Sequence, residues 1–324
     1  MTQARFWKLS AFALTFTLGV ILWGAFVRAT GSGAGCGSHW PTCNGDVIPR
    51  APSVATFIEY THRITSGIAF LLVGLQLVWA LRAFPAGHPA RGGAAASMVL
   101  MITEAAVGAG IVLLEYVAHD ASAARALWMA VHLINTFLLV GAMTCTLYFG
   151  LGGRRVRLRG QGAAGALVGA ALLGVLVVGV TGAIAALGDT LFAAGSLREG
   201  IAQDFSPTAH FLLQLRVLHP IAATIVSVYL LFARGAIAAR RRSPLVERLS
   251  TATAGLVLLQ MGAGVVNLLL LAPVWLQLVH LLLADLLWMV LVTLAAAALG
   301  EPASAVTSGP RGEAAQREAI ATSG

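Results

Sequence analysis

Residues 251–298 read TATAGLVLLQMGAGVVNLLLLAPVWLQLVHLLLADLLWMVLVTLAAAA. Two apolar runs, near 251–272 and 274–298, are separated only by Ala272-Pro273. Each is about as long as the ~20 residues a helix needs to cross the hydrocarbon core of a bilayer. A proline at the junction cannot continue the first helix. The stretch therefore reads as a tight hairpin of two membrane spans. Six further runs of similar character lie near 11–27, 64–82, 95–114, 127–149, 163–187 and 211–233. The run at 11–27 resembles a signal peptide in length, but no convincing small-residue cleavage site follows it, so it counts as a span. The expected fold is all-α and polytopic, with eight transmembrane helices.

Composition agrees. The 324 residues are 58% hydrophobic and 10% charged, against about 25% charged in soluble domains, and mean hydropathy is +0.84. The net charge of +8 is not a nucleic-acid footprint, because the basic residues alternate between loops. Arg5, Lys8, Arg82, Arg91, Arg154, Arg155, Arg157, Arg159, Arg234, Arg240, Arg241, Arg242, Arg248, Arg311 and Arg317 fall on one side. Only Arg28, Arg50, Arg125 and Arg198 fall in loops on the other, with Arg63 and Arg216 at helix starts there. By the positive-inside rule the first set is cytoplasmic. Both termini are then cytoplasmic, in a multi-pass protein of the cell (plasma) membrane whose basic clusters face anionic lipid. The polar tail from Glu301 onward reads as disordered and cytoplasmic.

The chain echoes itself. Ile58-Glu59-Tyr60-Thr61-His62-Arg63 opens the second span and Leu215-Arg216-Val217-Leu218-His219-Pro220 the sixth. Gly108-Ala109-Gly110 in the third matches Gly262-Ala263-Gly264 in the seventh. Trp128 and His132 in the fourth match Trp275 and His280 in the eighth, with one residue more between them. Four spans separate each pair, so the halves share one orientation, as in parallel-repeat membrane proteins. The expected organisation is an N-terminal four-helix half over 1–150, a C-terminal four-helix half over 160–300, and the tail over 301–324.

Of the eight histidines, His39, His88, His119 and His210 fall in or beside loops, where a solvated role is the default. His62, His132, His219 and His280 each lie near the start of an even-numbered span, two per half and all toward the outer face. An interfacial role would suit any one of them. Four placed symmetrically point to a site, because ionisable groups inside a membrane are costly and mark function. Neutral imidazole is a good ligand for iron, and two histidines from facing helices of a bundle can hold a heme between them. Zinc fits less well, since no Cys or carboxylate cluster completes a tetrahedral set. The halves differ in charge. Glu59 stands three residues before His62, on the same helix face. Arg216 takes the matching place before His219. A carboxylate beside one pair suits proton handling, and a guanidinium beside the other suits a heme propionate. The plainer readings are a helix-start charge for Glu59 and a snorkelling side chain for Arg216.

The first span runs into Val27-Arg28-Ala29-Thr30-Gly31-Ser32-Gly33, followed by Cys36, Trp40-Pro41, Cys43 and Asn44-Gly45. This resembles the heme A synthase family, whose members carry Val-Arg-x-Thr-Gly-Ser-Gly, then a Cys, Trp-Pro, a second Cys and Asn-Gly. Glu59-x-x-His62-Arg63, the histidines of spans 4, 6 and 8, and Ala118-His119-Asp120-Ala121-Ser122-Ala123-Ala124-Arg125 match as well, over roughly residues 10–298. The resemblance implies oxidation of the C8 methyl of heme O to a formyl group, giving heme A for cytochrome oxidase. It implies His219 and His280 as ligands of a heme b cofactor. His62 and His132 would face the substrate heme, whose iron they would ligate, and Glu59 would be the essential carboxylate. It also implies a heme O synthase as upstream partner; a homo-oligomer is left open. The competing reading is a di-heme electron-transfer cytochrome b. Such a carrier needs neither Glu59 at one pair only nor the cysteine loop. A transporter on a duplicated fold fits less well, because the polar residues cluster at outer helix ends and not at the midplane.

Cys36 and Cys43 lie on the oxidising side in this topology, where disulfides persist, and their short Gly/Pro-held loop permits closure. In the family such a pair sits beside the substrate site and is linked to redox chemistry; a structural staple is the alternative. Some members carry a second pair in the other half, and residues 188–210 contain none. Cys145, toward the inner end of span 4, reads as an apolar filler. The topology has a direct check. A cysteine substituted at Ser243 is expected to react with impermeant maleimide only from the cytoplasmic side; labelling from outside would invert the orientation.

Overall fold

In hydrocarbon every backbone N–H and C=O must find a partner within the protein, which leaves helices as the economical solution for these runs. The computed structural model describes residues 3–301, and it is all-helical apart from isolated bridges. The tail expected to be disordered lies outside the described residues beyond Glu301. The helices are α1 Gln3–Ala29, α2 Val54–Ala83, α3 Pro89–Leu113, α4 Ala123–Gly150, α5 Gly162–Leu191, α6 Leu197–Asp204, α7 Phe211–Arg216, α8 Leu218–Arg240, α9 Pro244–Leu269 and α10 Val274–Ala298. Eight spans result, as expected, with α7 and α8 together forming one of them over Phe211–Arg240.

Local chemistry sets the starts. Ser53, Ser122, Ser196 and Ser243 cap α2, α4, α6 and α9, each accepting the amide three residues on, which satisfies one of the orphan donors of a helix start. Pro89 and Pro244 occupy the first turns of α3 and α9, where a missing N–H costs nothing. The hairpin between α9 and α10 turns through Leu271 and Ala272 at positive φ. The break at Val217 between α7 and α8 follows from Pro220. Its ring nitrogen cannot donate to the carbonyl of Arg216, and the ring crowds the preceding turn. In α2 the corresponding residue is Arg63, and that helix is continuous.

In the first half α1 packs on α2, α2 on α3, α3 on α4 and α4 on α1, so α2 and α4 stand diagonally across the bundle. In the second half α5, α8, α9 and α10 close the same ring, with α8 and α10 diagonal. This recurrence is what an internal duplication produces. The halves meet along α1, α4, α5 and α10. There Trp288 stacks on Phe137 at 5.5 Å between ring centres and donates its indole N–H to the Phe137 carbonyl at 2.6 Å. Gly141 gives Trp288 its space, a Cβ there meeting the indole at 3.3 Å. A polar seam lies nearer the end of the bundle where α1 and α5 end. Arg28 at the end of α1 donates to the Ala186 carbonyl and Thr190 hydroxyl of α5, each at 2.7 Å, and to Gln277 of α10 at 2.9 Å. One guanidinium thereby ties the first half to the second.

Candidate functional site

The four intramembrane histidines sit at nearly one depth. His62 is eight residues past Val54, His132 nine past Ala123, His219 eight past Phe211 and His280 six past Val274. At 1.5 Å of rise per residue that is roughly 9–14 Å below each helix start. Each comes from a diagonal helix, and each lies against a glycine of a flanking one. A Cβ on Gly24 would stand 2.9 Å from His62 Cε1, on Gly182 3.0 Å from His219 Cε1 and on Gly264 3.2 Å from His280 Cε1. On Gly108 it would stand 3.9 Å from His132 Cε1. A side chain at Gly24 would force a shift and one at Gly182 or Gly264 would press on the ring, so glycine at these three positions lets the rings approach a neighbouring helix closely.

The structure brings His219 and His280 together, their ring centres 6.3 Å apart and their planes perpendicular. Thr181 on α5 holds His219: its hydroxyl donates to the Val178 carbonyl at 3.0 Å and stands 3.3 Å from His219 Nδ1. In the Nδ1–H tautomer that hydroxyl accepts from the ring, and Nε2 is then the nitrogen with the free lone pair. The Gln260 amide lies 3.3 Å from His280 Nε2, while His280 Nδ1 is buried without a partner. His62 on α2 and His132 on α4 stand on the diagonal helices of the first half. His62 Nδ1 is also buried and unpartnered.

Glu59 is buried, and both its oxygens are engaged. Oε1 pairs with Arg63 at 2.5 Å, and Oε2 accepts the Cys36 amide at 2.8 Å. Arg63 also donates to the carbonyls of His39 and Thr42, each at 2.5 Å. Thr56 donates to the Gly35 carbonyl at 2.8 Å. Gly35 itself lies on α2 so closely that a Cβ would fall 2.4 Å from the Ala55 carbonyl carbon. The loop between α1 and α2 is thus docked onto α2 through Glu59 and Arg63, one turn from His62. Cys36 and Cys43 form a disulfide, Cα atoms 4.4 Å apart, that closes this loop. Cys145 is a free cysteine within α4.

Arg216 is committed differently. It donates to Asp189 of α5 at 2.8 Å and lies 2.6 Å from Asp204 at the end of α6. The sequence offers a propionate partner or snorkelling for this residue; in the structure two carboxylates hold it, and they tie the loop between α5 and α7 to its helices. Sequence reasoning also missed α6, for which Ser196 and Glu199, a serine followed three residues later by a glutamate, are the signal. It missed Glu104 of α3, whose Oε1 is 3.5 Å from His132 Nδ1. A lone carboxylate inside an apolar run is the signal that finds it. Arg28 was read only as part of a motif and a loop charge; its partners are 158 to 249 residues away.

The family model of COX15-CtaA, described as cytochrome oxidase assembly protein, matches residues 5–292. The chain belongs to this family, that of the heme A synthases. A heme A synthase of Exiguobacterium sp. is 30% identical over 263 residues, which cover 79% of this chain and 82% of that protein. A heme A synthase of Alkalihalophilus pseudofirmus is 38% identical over 109 residues, 33% of this chain and 37% of that protein. A Thermus thermophilus protein named protoheme IX farnesyltransferase is 50% identical over 309 residues, 93% of this chain. The chain spans about half the length of that relative, 51% of it. Within a heme A synthase family member, the docked loop is the feature most open to direct chemistry. Intact peptides from oxidised membranes are expected to resist alkylation at Cys36 and Cys43 until a reductant is added, whereas alkylation of both without reduction would remove the disulfide.

Proposed function

We propose that this chain oxidises the C8 methyl of heme O to a formyl group, the substrate lying in the first half and a resident heme b in the second. The observation that carries the reading is the pairing of like with unlike. Two diagonal histidine pairs recur, and the groups beside them differ: Glu59 stands one turn from His62 and Glu104 lies 3.5 Å from His132, whereas Asp189 and Asp204 of the second half are committed to Arg216. A reaction that withdraws electrons and protons from a carbon and adds oxygen needs proton acceptors at one heme and none at the other.

Several features support a heme between His219 and His280. The ring centres of His219 and His280 stand 6.3 Å apart, so these two residues would hold the heme. Thr181 stands 3.3 Å from His219 Nδ1, where its hydroxyl can accept the Nδ1 proton of the tautomer whose Nε2 is free for a metal. The buried, unpartnered Nδ1 atoms of His62 and His280 are further orphans that a ligand or its surroundings would satisfy. When bound, heme b supplies a one-electron redox centre. His219 and His280 hold and orient it. In the first half, His62 and His132 orient the substrate heme through its iron. Glu59 takes protons released at the methyl, through water where it is not in direct reach, and Arg63 keeps the carboxylate fixed one turn from His62. The plasma membrane, with both termini cytoplasmic, would place this chemistry in the outer half of the bilayer. The upstream partner is the enzyme that makes heme O, a role in keeping with the printed name of the Thermus relative.

Two measurements test this. The His219→Ala, His280→Ala double variant, purified from membranes, is expected to lose the stably bound low-spin heme; retention of an unchanged spectrum would refute the ligand assignment. In a host lacking heme A, co-expression with a heme O synthase should yield heme A on extraction and chromatography. Glu59→Gln should reduce that yield by roughly 10²–10⁴ in rate if Glu59 is the base, with heme O or its hydroxymethyl form accumulating and heme b retained. Wild-type yield at equal protein level would return Glu59 to the role of a loop anchor.

A further inference from the structure

The first half contains a polar cluster that the second half lacks. Glu104 on α3 places Oε1 3.5 Å from His132 Nδ1 on α4, and its side chain is mostly buried. The same oxygen accepts the Thr136 hydroxyl, and Oε2 accepts the Asn135 amide at 2.5 Å. Asn135 is itself fixed. It donates to the Leu100 carbonyl at 2.9 Å and accepts the Thr103 hydroxyl at 2.6 Å. Asn135 and Thr136 follow His132 by three and four residues, so they stand on its face of α4. The carboxylate is therefore held in a hydrogen-bonded frame 3.5 Å from His132 Nδ1, a buried nitrogen with no hydrogen-bond partner of its own.

The second half shows what the fold requires without that frame. Registering Gly108 on Gly262 sets Thr103 and Glu104 against Val257 and Leu258. Registering His132 on His280 sets Asn135 and Thr136 against Leu283 and Ala284. Four polar residues around one histidine are apolar around its counterpart. Helix packing in this bundle is thus achieved without them, and an intramembrane carboxylate is costly to keep. Its position explains its presence. A metal-bound imidazole characteristically donates its second N–H to a carboxylate, which fixes the tautomer, aims the ring and makes the ligand nitrogen more basic.

We infer that Glu104 is a positioning residue that orients His132 through Nδ1 and so presents Nε2 to the iron of a heme bound in the first half. The inference rests on the ligand reading of His132 made above. It adds that the two hemes have ligand sets of different donor strength: His132 is backed by a carboxylate, whereas His219 is backed by the Thr181 hydroxyl.

The test uses the full chain in detergent with its first heme bound, and ferric protoheme as the probe for a second. Absorbance titration gives the affinity of the second heme, and electron paramagnetic resonance gives its low-spin g-values. Glu104→Leu, which installs the residue found at position 258, should weaken the second heme about 10–100-fold and leave the first heme's spectrum unchanged. Glu104→Gln still offers a carbonyl oxygen to Nδ1–H. It should recover most of the affinity yet shift the g-values, because a neutral acceptor draws the proton less strongly. Wild-type affinity and g-values in both variants would overturn the inference. If Glu104→Leu does not assemble, Glu104→Gln decides alone: shifted g-values support the role and unchanged ones overturn it. His132→Ala separates the two layers of the argument. Should it keep the second heme unaltered, His132 is no ligand, and the first-half reading falls together with Glu104. Should it lose that heme while both Glu104 variants keep it unaltered, only the role of Glu104 falls.

Discussion

The close approach of an imidazole to a glycine of a neighbouring helix, tight at Gly24, Gly182 and Gly264, is the constraint on which this architecture depends. A histidine inside a bilayer must be shielded from lipid and still keep a nitrogen available. Placing it on a diagonal helix, against Gly24, Gly108, Gly182 or Gly264 of a neighbour, turns the ring into the bundle. Close approach of small residues is also how membrane helices gain contact area in the absence of a hydrophobic drive between them. The same glycines therefore serve packing and site geometry together. A side chain at Gly24, Gly182 or Gly264 would displace the ring, and the helix carrying it, from the interior.

Around this shared frame the halves have diverged in charge. In the first, Glu59, Arg63 and the Cys36 amide form a closed buried network that docks the loop between α1 and α2. A buried ion pair gains little net stability once desolvation is counted, and breaking it by removing one partner is expensive. Such a network is better understood as fixing the geometry of the loop and of the helix turn that precedes His62. In the second half Arg216 joins Asp189 and Asp204, and Arg28 crosses from the first half to α5 and α10. The seam between the halves is thus polar where α1 and α5 end and apolar around Phe137 and Trp288.

Much of this was legible in the sequence. Eight apolar runs, the Ala272-Pro273 hairpin and the depth of four histidines followed from hydropathy and spacing alone. Helix starts did not. The run counted from residue 64 begins as α2 at Val54, because the outer turns contain Thr56, Glu59, His62 and Arg63 and look polar to a hydropathy window. Ser53 is the local signal that marks the true start. Glu104 was hidden for the opposite reason: one carboxylate barely changes the average of a long apolar run. Its meaning appears only when the glycine register is carried outward to neighbouring positions. The partners of Arg28 and Arg216 leave no local pattern, since each joins segments far apart in the chain.

The break at Val217 gives the two halves different mechanical character. Proline at position 220 leaves the Arg216 carbonyl without its helical donor, whereas the equivalent turn of α2 is continuous and clamped by Arg63. Segments with fewer backbone bonds open at lower free energy than the body of a fold. The rim of the second half is therefore the compliant one, and the rim of the first is stapled by a disulfide and a guanidinium. A cavity that must admit and release a large planar guest, and one that retains its guest, would ordinarily be assigned the soft and the stiff rim respectively. Here the order is reversed: the half proposed to exchange its guest has the stiff rim, and the half proposed to retain one has the interrupted helix.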